Sequence, residues 1–279
     1  MICHTLLCLL SILSLAFSAQ VSAQDRSAAP VARPLRLVIV GDSTVCNYPA
    51  TSPNRGWGQF IAERFKDGTV RVINLAASGR STKTFIREGR WKKALEEKPD
   101  YVLIQFGHND SHGPGHAEAT DASGDYRDYL RRYIDESRAV GATPVLVTPM
   151  VRRNFDAEGK IAEPTGAGNL LPYVNAMKEV GREKKTPVIN LYASSKGLVE
   201  KLGPTKCAEL ANKKGDHTHF NEKGARAMAD LVMKELPDVA PGLKPFVKST
   251  RSASGSDGVR DDRSWGGAQA RSRQAAERE

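Results

Sequence analysis

Ser43 stands where a nucleophile could act. It follows the apolar run Leu35–Val40 and a turn residue, in the order Gly41-Asp42-Ser43-Thr44. An apolar, β-branched run reads as a buried strand. In an open α/β sheet, ligands bind at the carboxyl ends of the strands. A serine there can act as a nucleophile where a histidine base and an oxyanion hole lie nearby. The alternative is that Asp42 or Ser43 only caps the next helix. Three more polar clusters occupy similar places. Ser78-Gly79-Arg80 follows the second predicted strand and Gly107-His108-Asn109-Asp110 the third. Asp216-His217-Thr218-His219 lies after the fifth strand, just before the last helix.

The elements that must position these clusters alternate. Strands are predicted at Leu35–Val40, Val70–Leu75, Tyr101–Phe106, Pro144–Val147 and Val188–Leu191. Trp57, Phe60, Ile61 and Phe65 recur at helical spacing, so Gly56–Lys66 reads as an amphipathic helix. Further helices are predicted at Trp91–Glu97, Tyr126–Val140, Leu170–Lys184, Ala193–Leu202 and Glu222–Leu236. Ala76–Thr82, His108–Ser123 and Arg152–Gly168 read as loops. Strands alternating with helices imply parallel strands joined by right-handed crossovers. The expectation is α/β: a single-domain, three-layer α/β/α sandwich around a five-stranded parallel sheet. Parallel strands bring the four clusters to one edge of that sheet, and this convergence says more than any one motif.

Together the clusters resemble the four blocks of the SGNH (GDSL-like) hydrolase family, whose sheet is flavodoxin-like. The blocks' Ser, Gly, Asn and His fall here at Ser43, Gly79, Asn109 and His219, with Asp216 three residues before the histidine. The resemblance runs from about Leu35 to Leu236. Within the family it is nearest to rhamnogalacturonan acetylesterases, on Gly-Asp-Ser-Thr at 41–44, Gly-Trp-Gly at 56–58, Gly-His-Asn-Asp at 107–110 and Asp-His-Thr-His-Phe at 216–220. It implies a carbohydrate acetylesterase that needs no cofactor. Ser43 is then the nucleophile, His219 its base, and Asp216 the carboxylate that holds the imidazole tautomer. By the same resemblance the oxyanion donors are the N–H groups of Ser43 and Gly79 and the side-chain amide of Asn109. His217 and His108 are candidates for substrate contact. The order Ser, Asp, His without Gly-x-Ser-x-Gly argues against the α/β-hydrolase elbow.

Outside the blocks, several features narrow the function. Leu6–Phe17 is apolar and followed by Val21-Ser22-Ala23, so residues 1–23 read as a secretory signal, although no Lys or Arg precedes the apolar run. Residues 24–34 read as a flexible leader, 35–248 as the domain, and 249–279, rich in Ser, Gly, Arg and Asp, as a disordered tail. No later segment is long and apolar enough for a membrane span, so no stable membrane association is expected. Cys46 and Cys207 remain after the signal, and the sequence leaves open whether they pair.

The net charge of +9 suits an acidic polysaccharide for an exported protein, and equally a merely soluble surface. Phosphate-cradling glycine motifs are missing, and the basic residues are not clustered with aromatics, which argues against nucleotides and nucleic acid. His108, His112 and His116 have the spacing of a helical metal face, but Gly113-Pro114-Gly115 opposes a helix there, and no metal is expected. Trp57 suits helix packing better than sugar stacking. Asn109-Asp110-Ser111 matches a glycosylation triplet, which a buried amide would not serve. Rival readings are another ester in the same site (a xylan acetate or a lysophospholipid), a non-catalytic carbohydrate-binding protein, and a metal-dependent phosphodiesterase. The oligomeric state is not written in the sequence; a monomer is the expectation.

Overall fold

The computed structural model describes residues 33–249. The segments read as a signal, as a leader up to residue 32 and as a tail beyond Ser249 lie outside the described residues. Five strands form one parallel sheet: β1 (Leu35–Gly41), β2 (Val70–Asn74), β3 (Tyr101–Gln105), β4 (Thr143–Val147) and β5 (Val188–Ile189). Their order is β2-β1-β3-β4-β5. The chain lays β2 on one side of β1, then crosses to lay β3 on the other. Such a reversal leaves a crevice at the carboxyl ends of β1 and β3.

Helices α1 (Thr82–Arg87), α2 (Arg90–Glu96), α3 (Asp125–Ala139), α4 (Leu171–Glu183), α5 (Leu191–Ala208) and α6 (Glu222–Val239) complete the layers. Successive strand side chains point to opposite faces. Val38, Val40, Val102, Ile104 and Leu146 therefore pack with α1–α4, through Phe85, Trp91, Tyr133 and Met177. Leu37, Ile39, Leu103, Val145 and Val147 pack with α5 and α6 on the other side. The expected three layers are what this two-sided core produces. Among the described residues, no helix is long and apolar enough to cross a membrane.

Three local expectations change. Gly56–Lys66 is not an α-helix but two short 3₁₀ turns, Trp57–Phe60 and Ala62–Arg64. The N–H groups of Trp57 and Gly58 bond to the carbonyls of Thr44 and Val45, at 3.0 and 3.2 Å, which ties the segment to the turn around Ser43. Two glycines among its first three residues also weaken helix propagation. The burial pattern still holds: Trp57, Phe60, Ile61 and Phe65 are all in the core. The loop Ala76–Thr82 ends sooner than expected, because Ser81 caps α1 by accepting from the Thr84 N–H. Helix α5 is longer than Ala193–Leu202 but breaks at Gly203, just before Pro204. Cys46 and Cys207 are both buried and both free, so they do not pair. Arg33, at the end of the leader, makes a two-pronged bond to Asp100, at 2.7 and 2.8 Å.

Candidate active site

Three neighbouring strands deliver Gly79, Ser43 and Asn109 side by side. Ser43 follows β1 in a turn that Asp42 builds. The Asp42 carbonyl accepts from Val45 and Cys46 N–H, and its Oδ1 accepts from the Thr44 N–H and hydroxyl at 2.9 and 2.7 Å. The Tyr48 hydroxyl donates to the Ser43 carbonyl at 2.8 Å. Gly79 follows β2 with φ +77°, a conformation that disfavours any side chain, and a Cβ there would meet open space. Among the described residues, neither the Ser43 nor the Gly79 N–H has a hydrogen-bond partner. Asn109 follows β3, is buried, and donates from Nδ2 to the carbonyl of Arg80 at 3.0 Å. That burial also removes it as a glycan acceptor. Its neighbour Asp110 anchors this strand end by accepting from the Thr82 N–H and hydroxyl and from the Thr120 hydroxyl. Complete burial pushes the Asp110 carboxyl up to about 7, against the pull of those donors.

The histidine arrives from the loop before α6. His219 Nε2 lies 2.9 Å from Ser43 Oγ, and Nδ1 lies 3.0 Å from Asp216 Oδ2. Asp216 Oδ1 accepts the N–H groups of Thr218 and His219, at 2.9 and 2.8 Å. Partial burial works against ionisation of Asp216, but these N–H bonds and the His219 ring prevail and hold its carboxyl at about 2. An ionised Asp216 only accepts, so the Nδ1–H of His219 donates to it. Nε2 is then left to accept the Ser43 hydroxyl proton. The structure thus brings Ser43, Asp216 and His219 into one chain of hydrogen bonds.

The two histidines expected at the substrate fall differently. His108 is buried, with Nδ1 3.3 Å from Asp42 Oδ2 and Nε2 3.1 Å from the Met150 carbonyl. Both nitrogens are engaged inside the protein, so His108 does not reach a substrate; it is part of the scaffold. His217 is exposed, and its Nδ1–H donates to the Arg153 carbonyl at 2.9 Å. It lines a cavity of about 350 Å³ with Arg153, Lys213, Lys214 and Asp216.

Sequence reading missed two supports. The first is a buried polar chain beneath Ser43. Trp57 Nε1 donates to Gln105 Oε1 at 2.7 Å, and Gln105 Nε2 donates to Thr44 Oγ1 at 3.0 Å, which in turn donates to Asp42. Trp57 is a packing residue, fully buried, and not a sugar platform. The one available clue was Gln105, an amide ending an otherwise apolar strand. The second is Arg153, in the loop read only as polar. Its buried guanidinium donates to the carbonyls of Asp216 and His219, at 2.8 and 2.7 Å, and lies 4.3 Å above the Phe220 ring. Nothing in its sequence neighbourhood signals this.

Comparison with known proteins gives a consistent result. Residues 39–227 match the model of the GDSL-like Lipase/Acylhydrolase family. The chain is 36% identical to rhamnogalacturonan acetylesterase RhgT of Bacillus subtilis, over 78% of this chain and 96% of that protein. It is 33% identical to the probable rhamnogalacturonan acetylesterase YesY of the same organism, over 77% and 98%. Among solved structures, the B. subtilis protein YxiM superposes with a TM-score of 0.66 at 29% identity, over 78% of this chain and 59% of that one.

Proposed function

Because the chain belongs to the GDSL-like Lipase/Acylhydrolase family and is a carboxylic ester hydrolase, we propose that it removes acetyl groups from plant cell-wall polysaccharide, foremost pectic rhamnogalacturonan. The observation that carries the reading is the hydrogen-bond chain from Ser43 through His219 to Asp216. Ser43 Oγ attacks the acetyl carbonyl while His219 Nε2 takes its proton. The oxyanion that forms is held by the free N–H groups of Ser43 and Gly79 and by the Asn109 amide. On collapse, the sugar oxygen leaves with the proton from His219. Water, deprotonated by the same nitrogen, then cleaves the acetyl-serine and restores the enzyme.

Two features support the choice of polysaccharide. Relatives that align over nearly their whole length carry rhamnogalacturonan acetylesterase in their names. The chain is also basic, and Lys213, Lys214 and His217 line a cavity beside Asp216, which suits a galacturonate-rich polymer. The apolar segment Leu6–Phe17 supports export.

The test compares the protein with its Ser43→Ala variant on acetylated rhamnogalacturonan, acetylated xylan and an aryl acetate, in EDTA, following released acetate. Serine-dependent release, fastest from rhamnogalacturonan, is expected. Release from xylan or aryl acetate alone keeps the mechanism and discards the polymer. No release by folded protein overturns the acetylesterase reading.

A further inference from the structure

The loop after β3 carries a second cluster of donors, apart from the serine site. Gly113-Pro114-Gly115 rules out a helix there, but it builds a tight turn. The His116 N–H donates to the Gly113 carbonyl at 3.3 Å, with Pro114 next and Gly115 at φ +96°. That is the pattern of a type II turn, with proline second and a positive-φ glycine third. The turn folds His116 back beside His112, with ring centroids 5.4 Å apart. Glu118 completes the group. Its Oε1 lies 2.6 Å from His112 Nδ1 and 3.6 Å from His116 Nδ1. Helical spacing is therefore not what brings these histidines together.

We propose that His112, His116 and Glu118 bind a divalent cation of the zinc type. Their ligand atoms lie within 4.8 Å of one another. Ligands at about 2.0–2.2 Å around a tetrahedral ion stand roughly 3.4 Å apart, so small side-chain rotations suffice. Two imidazoles and one carboxylate favour zinc, nickel or copper over calcium or magnesium, which take oxygen donors.

The backbone under the site is fixed in advance. The Ser111 N–H donates to Gly107, Thr120 to Asp110, and Gly168 to Ser111, at 2.9, 3.0 and 2.7 Å. His112 and His116 line an open cleft of about 740 Å³, which leaves the ion's remaining position free for water or a ligand. Asn109 lies on the same loop, three residues before His112, so the ion would clamp the segment that presents it. This site stands independently of the ester-hydrolase reading.

The test is titration of metal-free protein with Co²⁺, followed by its visible absorption, and then competition with Zn²⁺. One saturating equivalent is expected, displaced by Zn²⁺. Losing even an outer partner of a metal ligand costs about 10–100-fold in affinity. His116→Ala and Glu118→Gln should therefore each weaken binding at least about tenfold, with unfolding curves unchanged. His217→Ala, an exposed histidine elsewhere, should bind as the parent does. No saturable binding, or equal affinity in parent, His116→Ala and Glu118→Gln, overturns the proposal.

Discussion

Asp42 and His108 form one carboxylate–imidazole pair, and Asp216 and His219 form another. The chemistry of the partners is the same, and the surroundings separate them. In the first pair the side chains are 0% and 3% exposed; in the second, 12% and 32%. His108 faces an acceptor with each nitrogen, the Asp42 carboxylate and the Met150 carbonyl. Neither nitrogen meets a hydroxyl whose proton it could take. His219 faces one acceptor, Asp216, and one hydroxyl, Ser43, so its second nitrogen is open to proton transfer. What makes a base is therefore the partner of the second nitrogen, not the carboxylate on the first.

The largest effect should come from the exposed pair. Asp216→Asn presents an amide in place of the acceptor and turns the imidazole to the wrong tautomer, so kcat on an aryl acetate should fall by about 10⁴-fold. A rate within tenfold of the parent would mean that this pair is not the working one. Asp42→Asn acts on the buried pair and should be read in stability. Leaving a buried polar group without its hydrogen-bond partner typically costs about 1–3 kcal/mol. Its denaturation midpoint should drop accordingly, while folded variant keeps far more activity than Asp216→Asn does. Equal losses of activity in both variants would erase the distinction.

Asn109→Ala tests the strand end between the two pairs. Loss of one oxyanion donor should lower kcat by about 100–1,000-fold, or roughly 2.7–4 kcal/mol.

Acid should affect both pairs in the same direction and with the smallest effect. Asp216 titrates near 3.8 when unfolded and at about 2 when folded. Its contribution to stability is complete above 3.8 and disappears as pH falls toward about 2. Asp42 is lowered too: complete burial opposes its ionisation, but the charge and hydrogen bond of His108 outweigh it. Denaturant melts of the parent should lose stability across that window, and Asp216→Asn should lose less. A parent that grows more stable as pH falls from 3.8 toward about 2 would contradict both shifts.

Much of this arrangement is legible in order along the chain. Apolar runs mark all five strands, and the polar clusters at their ends include Ser43, Gly79 and Asn109, which meet in the fold. Asp216 and His219 are three residues apart, so one turn joins them without help from elsewhere. Other features give no local sign. Gly56–Lys66 has helical spacing, yet its first N–H groups bond to the serine turn instead of propagating a helix. Gly113-Pro114-Gly115 correctly excludes a helix, and the turn it forms still brings His112 to His116.

Sequence alone determined the five strands, the helices α2–α6 and the residues standing at the strand ends. These follow from side-chain periodicity and turn chemistry, which act over a few residues. Tertiary structure decided which histidine faces Ser43. That contact spans 176 residues of chain, and it exists because Arg153 and Phe220 seat the Asp216–His219 loop over β1. The same packing buries His108 between two acceptors. Which nitrogen is left free depends on neighbours that no local pattern specifies.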